Sequence, residues 1–181
     1  MTAERIYMTG FMGSGKSTVG PRVARLLGFD SMDLDTMIEE DLGMSIPAIF
    51  DVLGEDAFRS AEREHLARVG SMNRLVVSLG GGTILHAQNL QFCLDTGILI
   101  TLDVDIDTLA DRLEQSPNPR PLLFDESGNR LSGDRLRRRI GELLAERRPA
   151  YEQAHHLIAV GNEDAEVVAE RVVGLLRAGL F

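Results

Sequence analysis

The chain has 181 residues, 44% of them hydrophobic, and a formal net charge of −9. That length suits one domain whose core needs no staples, and its apolar runs fall far short of the ~18–20 residues that cross a membrane. The acidic balance argues against nucleic acid as a general partner, and the single cysteine, Cys93, excludes an internal disulfide, which fits a reducing, cytoplasmic setting. No secretory leader is expected, because Met1 runs through Thr2, Ala3 and Glu4 into a strand-like stretch.

Arg5–Thr9 predicts a short apolar strand. Next comes GFMGSGKST, Gly10 to Thr18, with the one lysine of a chain that carries 18 arginines. Gly10 to Ser17 fits G-x-x-x-x-G-K-[ST], placed after a strand and at the opening of a helix, where a phosphate-binding loop must sit. Its glycines let successive amides curl inward, and the helix N-terminus adds partial positive charge. Gly13, Ser14, Gly15 and Thr18 complete the cradle. Lys16 can reach the β- and γ-phosphates, and the Ser17 hydroxyl can bind Mg²⁺. A wider, planar guanidinium would collide with the loop, a physical reason for lysine here.

Lys16–Leu27 predicts a helix, loosened at Pro21 and stopped by Gly28. Gly28–Asp33 is a weaker strand. Asp33 and Asp35 lie two apart, so on an extended chain they face the same way. One can orient a Mg²⁺ water while the other orients or deprotonates a hydroxyl; a solvated acidic turn is the plainer alternative. Helical pieces follow at Thr36–Asp41, Ser45–Leu53 and Glu55–Val69, with Ser45 capping the second. Asp51 and Gly54 match the D-x-x-G of switch GTPases by chance, and the partner motif N-K-x-D is impossible with no second lysine. Arg59, on a helix among acids, reads by itself as a surface ion pair.

Arg74–Leu79 predicts a buried strand that leads into Gly80-Gly81-Gly82. A plain turn needs fewer glycines, so a ligand approaching the backbone closely is the reading. His86, just beyond, is a further candidate lining residue. His65 reads as polar-faced, and His155 and His156 as preceding a strand. Ala87–Asp95 predicts a helix with Cys93 as a buried hydrophobe. Gly97–Leu102 is another buried strand and Ile106–Leu113 another helix.

From Glu114 to Gly133 the periodicity breaks. A stretch of about 20 residues without an element is usually functional, often a lid. In it Arg120 stands between Pro119 and Pro121, rigid flanks that suit an arginine arriving at a phosphate on closure. Asp134–Glu146 predicts a helix stopped near Pro149. Arg147 then falls at its end, where capping the helix C-terminus competes with a ligand role. Arg112 to Arg148 holds nine arginines against six acids, a local excess that suits a compact anion or a solvated, ion-paired face. His156–Val160 is the last strand and Ala165–Leu176 the last helix. Alternating βα units of this kind imply an α/β fold, a parallel sheet with helices on both faces.

The ordered set resembles the shikimate kinase family: G-x-x-G-S-G-K-S-T, D-x-D, F-R, a triple glycine after a strand, R-P-L-L, then R-x-P-x-Y. The likeness runs from Ile6 to about Val173. It implies one three-layer, nucleoside-monophosphate-kinase-like domain over residues 1–181 with a five-stranded parallel sheet. A helical substrate-binding segment would span about 35–63 and a lid about 112–124. It implies transfer of the γ-phosphate of ATP to the 3-hydroxyl of shikimate, a step towards chorismate. Arg59 and Arg147 match positions that grip the substrate carboxylate, and bidentate forks suit that geometry. Asp35 matches the position on the ring hydroxyls and is the candidate base. The backbone of Gly80, Gly81 and Gly82 matches a further substrate contact, and Asp33 with Ser17 the Mg²⁺ position. Arg120 matches the lid arginine, and Arg112 the one that stacks on adenine.

Two departures stand out. The loop Gly161-Asn162-Glu163-Asp164 is acidic where some members are basic, and Ala150 replaces a commoner leucine. Other readings are a related kinase, such as one acting on gluconate, and a nucleotide-binding regulatory module without turnover. With no coiled coil or exposed apolar stripe evident, a monomer is expected.

Overall fold

The computed structural model describes residues 4–117 and 120–179. Met1, Thr2, Ala3 and Pro119 lie outside the described residues.

Three apolar runs form the middle of one parallel sheet. These are β1 (Arg5–Gly10), β3 (Leu75–Ser78) and β4 (Ile98–Val104), all but fully buried along their length. Strands that read as unbroken apolar runs are those covered on both faces. The shorter β2 (Asp30–Asp33) and β5 (His156–Val160) are the edges, in the order β2-β3-β1-β4-β5. Every pairing is parallel.

The pleat sends alternate residues to opposite faces. Met8, Val76 and Ser78 point at α1 (Lys16–Leu27), where Gly20 packs against them. Tyr7 points the other way, and its hydroxyl lies 2.9 Å from Thr96 Oγ1 at the end of α5 (Ala87–Thr96). Helix α8 (Ala165–Arg177) packs on α1, and α6 (Ile106–Gln115) packs on α7 (Gly133–Tyr151). Between β2 and β3 the chain runs through α2 (Leu34–Leu42), α3 (Ile46–Leu53) and α4 (Glu55–Gly70), which pack on one another. No helix among the described residues is long and apolar enough to cross a membrane.

Helix α1 keeps its expected bounds and continues through Pro21, because the bond forfeited there belongs to the Ser17 carbonyl in the exposed first turn. Several other elements differ from expectation. Helix α7 does not stop near Pro149 but runs on to Tyr151. One missing N–H near a helix end is tolerated when proline's φ already suits the helix. Arg147 therefore lies inside α7, not at its end, and is 9% exposed, so capping is not its role. Strand β5 has its expected bounds, so His156 opens the strand rather than preceding it, and His65 is buried, with Nδ1 2.8 Å from the Ala61 carbonyl and Nε2 3.2 Å from Asp41. Between α6 and α7 the irregular stretch still holds a 3₁₀ turn, Pro121–Leu123, and an antiparallel bridge from Phe124 to Arg130.

Helix-interior glycine is ordinarily about 1 kcal/mol worse than alanine. At Gly20 the sign reverses. A Cβ there would stand 2.6 Å from Ser78 Oγ, whose hydroxyl donates to the Lys16 carbonyl at 3.2 Å. Gly20→Ala is therefore expected to destabilise, by about 1–3 kcal/mol, seen as a lower Tm in a thermal melt. An unchanged or raised Tm would show that α1 can slide off β3.

Candidate active site

The site lies at the C-terminal ends of β1, β2 and β3, where open α/β sheets bind ligands. After β1 the chain must curl tightly. Gly10, Gly13 and Gly15 take φ values of 142°, 81° and 98°, which a side chain would strain. At Gly10 a Cβ would stand 2.6 Å from the Leu102 carbonyl oxygen. Gly15 is also the N-cap of α1 and offers no side chain to its amides, so the helix N-terminus is left for an anion.

Lys16 folds back over this loop. Its ammonium donates to the carbonyls of Gly10 (2.8 Å) and Phe11 (2.9 Å) and to Ser14 Oγ (3.3 Å). The residue is 9% exposed, and no carboxylate among the described residues lies within ion-pair distance. Burial pulls its pKa down to about 8, opposed by the charges of Asp35 and Asp33 and assisted by those of Arg120 and Arg147. A buried ammonium held only by neutral acceptors is short of one anion, and a phosphate fits.

Asp33 and Asp35 do not share an extended strand, as their spacing suggests. The chain turns into α2 at Leu34 because Asp33 is its N-cap, with Oδ1 accepting from the amides of Asp35 (3.1 Å) and Thr36 (3.3 Å). Its other oxygen accepts from Ser17 Oγ at 2.8 Å. Asp35 still reaches the site from the first turn of α2, and burial, then Asp33, pushes its pKa up to about 6. Its carboxylate occupies the space a Cβ on Gly80 would need, 2.7 Å away.

The triple glycine is the hub. Gly81 sits between the loop and α7: a Cβ there would be 3.3 Å from the Gly10 carbonyl oxygen and 3.4 Å from Arg147 Nη1. A Cβ on Gly82 would be 3.8 Å from both terminal nitrogens of Arg59. So the two arginines, 88 positions apart in sequence, converge on one turn. Arg147 lies over the Phe11 ring at 5.3 Å, also without a carboxylate partner among the described residues. Arg59 differs. It donates to Glu62 at 3.1 Å and to Glu55, and lies over the Phe58 ring at 5.1 Å.

Arg112 spans the far flank, donating to the carbonyls of Gly13 (3.2 Å) and Gly161 (2.5 Å). The acids of the 161–164 loop are spent locally. Glu163 accepts from the Gly161 amide and from Arg171, and Asp164 caps α8. Arg120 is exposed, and its charge is one of the smaller influences that lower the pKa of Lys16. His86 is exposed at the N-cap of α5 and does not line the site.

The sequence reading missed three features. Phe50 and Phe58 pack at 4.8 Å between ring centroids beside Arg59, an apolar wall that the F-R pair half announced. Glu62 is 1% exposed and bound by Arg59, by Thr83 Oγ1 at 2.8 Å and by Asn89 Nδ2 at 3.4 Å. Its spacing of three from Arg59 was the available signal. Tyr151, quoted in R-x-P-x-Y but given no role there, is the third, its hydroxyl donating to the Gly81 carbonyl at 2.8 Å.

The family model of shikimate kinase matches residues 12–177. A shikimate kinase of Salinibacter ruber is 47% identical over 170 residues, 94% of this chain and 81% of that one. The chain belongs to the shikimate kinase family. A solved shikimate kinase from Acinetobacter baumannii, in complex with shikimate, superposes on this family member with a TM-score of 0.87 at 35% identity, covering 98% of this chain and 95% of that one. A gluconokinase from Sinorhizobium meliloti, 15% identical, reaches 0.56 over 99% of this chain and 94% of that one. At that identity it shares the fold alone.

Proposed function

We propose that this chain phosphorylates the 3-hydroxyl of shikimate with ATP as donor. One observation carries the reading. Two nearly buried cations, Lys16 and Arg147, lack anionic partners among the described residues and are held apart by the Gly10 carbonyl and Gly81. A donor with a phosphate tail and an acceptor with a carboxylate fill those two roles. Phe50 and Phe58 supply an apolar face for a carbon ring.

In this reading Lys16, Gly13, Ser14, Gly15 and Thr18 hold the triphosphate, with Arg112 beside the base and Arg120 arriving on the lid. Ser17 and Asp33 would hold Mg²⁺. Their hard oxygens lie 2.8 Å apart and form no closed cage, which suits an ion that keeps several waters. When bound, Mg²⁺ supplies charge neutralisation at the phosphates. Arg59 and Arg147 orient the acceptor through its carboxylate. Asp35 accepts the proton as the acceptor oxygen bonds to phosphorus and the bond to ADP breaks. A carboxyl near 6 is largely ionised at pH 7 yet basic enough for that task.

Coupled ADP release tests the function. Turnover is expected with shikimate and Mg²⁺, and none with gluconate or without the metal. ATP binding with no ADP release on shikimate would leave a bare nucleotide module.

The same pKa values set a pH profile. Asp35 loses its basic form as pH falls through about 6, and free Lys16 loses its charge as pH rises through about 8. So kcat/KM for ATP is expected to fall on both sides of a plateau between them. The alkaline limb of kcat should lie higher, because bound phosphate favours the ammonium. A flat profile from pH 5 to 9 would contradict both assignments.

A further inference from the structure

Helix α7 presents Arg147 and Tyr151 four residues apart, hence on one face, and both reach the same atom. The Tyr151 hydroxyl donates to the Gly81 carbonyl at 2.8 Å, while Arg147 Nη1 stands 3.5 Å from that oxygen. The shorter bond has the better claim. We propose that Tyr151 is a positioning residue of the acceptor site: its hydroxyl satisfies the Gly81 carbonyl and so frees the Arg147 guanidinium for the acceptor's carboxylate. This rests on the reading of Arg147 as a carboxylate anchor.

Three observations support a built arrangement. Tyr151 is 5% exposed, and its own carbonyl is fixed by Thr101 Oγ1 at 2.9 Å, which ties the end of α7 to β4. Burial pushes the phenol's pKa up, although the charge of Arg147 and a hydrogen bond from its side chain pull it down, so the hydroxyl stays a proton donor through the working range. Arg147 itself has no carboxylate to hold it back among the described residues. Left without the phenol, this part-buried carbonyl would turn to the nearest side-chain donor, and that donor is Arg147.

Tyr151→Phe tests this, because it keeps the ring and removes only the hydroxyl. The KM for shikimate is expected to rise about tenfold, with the KM for ATP within about twofold of wild type. Introduced into Arg147→Ala, the same change is expected to add less than about twofold, since its effect runs through the missing guanidinium. A merely structural tyrosine would weaken both substrates alike and lower Tm. Equal loss for ATP and shikimate, or a full further tenfold in the Arg147→Ala background, overturns the proposal. Wild-type protein without shikimate turnover in the same assay would overturn the function, and this inference with it. Normal wild-type turnover with an unaltered Tyr151→Phe variant would overturn the inference alone.

Discussion

Lys16→Ala is expected to lower kcat by about a thousandfold or more, with the fold intact. Three neutral acceptors surround the ammonium at 2.8–3.3 Å, so its charge is not cancelled by the protein and acts in full on a bound phosphate. Arginine should not rescue it, because a planar fork cannot enter a pocket shaped by the Gly10 and Phe11 carbonyls. Stability separates this from simple damage. Folding lowers the pKa of Lys16 from 10.5 to about 8, so its burial opposes folding most at low pH, an opposition fading as pH rises through about 8 and gone above 10.5. At pH 7 the alanine variant should therefore melt no lower than wild type. Steady-state ADP release and a thermal melt on one preparation check both; a normal kcat would end the phosphate-loop assignment.

The second large effect is expected at the acceptor's carboxylate. Arg147→Ala and Arg59→Ala should each raise the KM for shikimate about 30- to 150-fold, the worth of a charge-assisted bond of roughly 2–3 kcal/mol, and leave the KM for ATP nearly unchanged. The two should differ in stability. Arg59 is the countercharge of Glu62, which is 1% exposed, so its loss strands a buried carboxylate on Thr83 and Asn89 alone and should lower Tm. Arg147 leaves no carboxylate behind. Initial rates across both substrate concentrations, with melts alongside, would show the pattern. A comparable rise in KM for ATP would refute the assigned roles.

The strands were legible because β1, β3 and β4 are apolar runs with no competing period, and the phosphate loop because its spacing has one mechanical solution. The acceptor side was legible only as residue types. Asp33 and Asp35 were read as neighbours on one extended strand, the wrong backbone, since nothing in D-L-D says that the first aspartate turns to cap a helix. Pro149 reads as a stop because proline breaks most helices; that this one lies close enough to the end of α7 to be tolerated depends on tertiary packing. His65 seemed polar-faced because its neighbours in sequence are charged, yet the α2 and α4 contact buries it. Glu62 looked ordinary, and Tyr151 stood in a motif without a role, for a related reason. Their partners, Thr83 and Gly81, lie on another element, and single-sequence reading sees only spacing along one.

The unbroken passage of α7 through Pro149 has a practical result for anyone altering this molecule. A helix converts count along the chain into compass bearing, about 100° for each residue. Adding or deleting a single position between Arg147 and Tyr151 would swing the phenol away from the glycine turn while every side chain kept its identity. Length in that short interval is thus as strictly set as composition, and a frame change of one should silence the acceptor half more thoroughly than most exchanges of one residue for another.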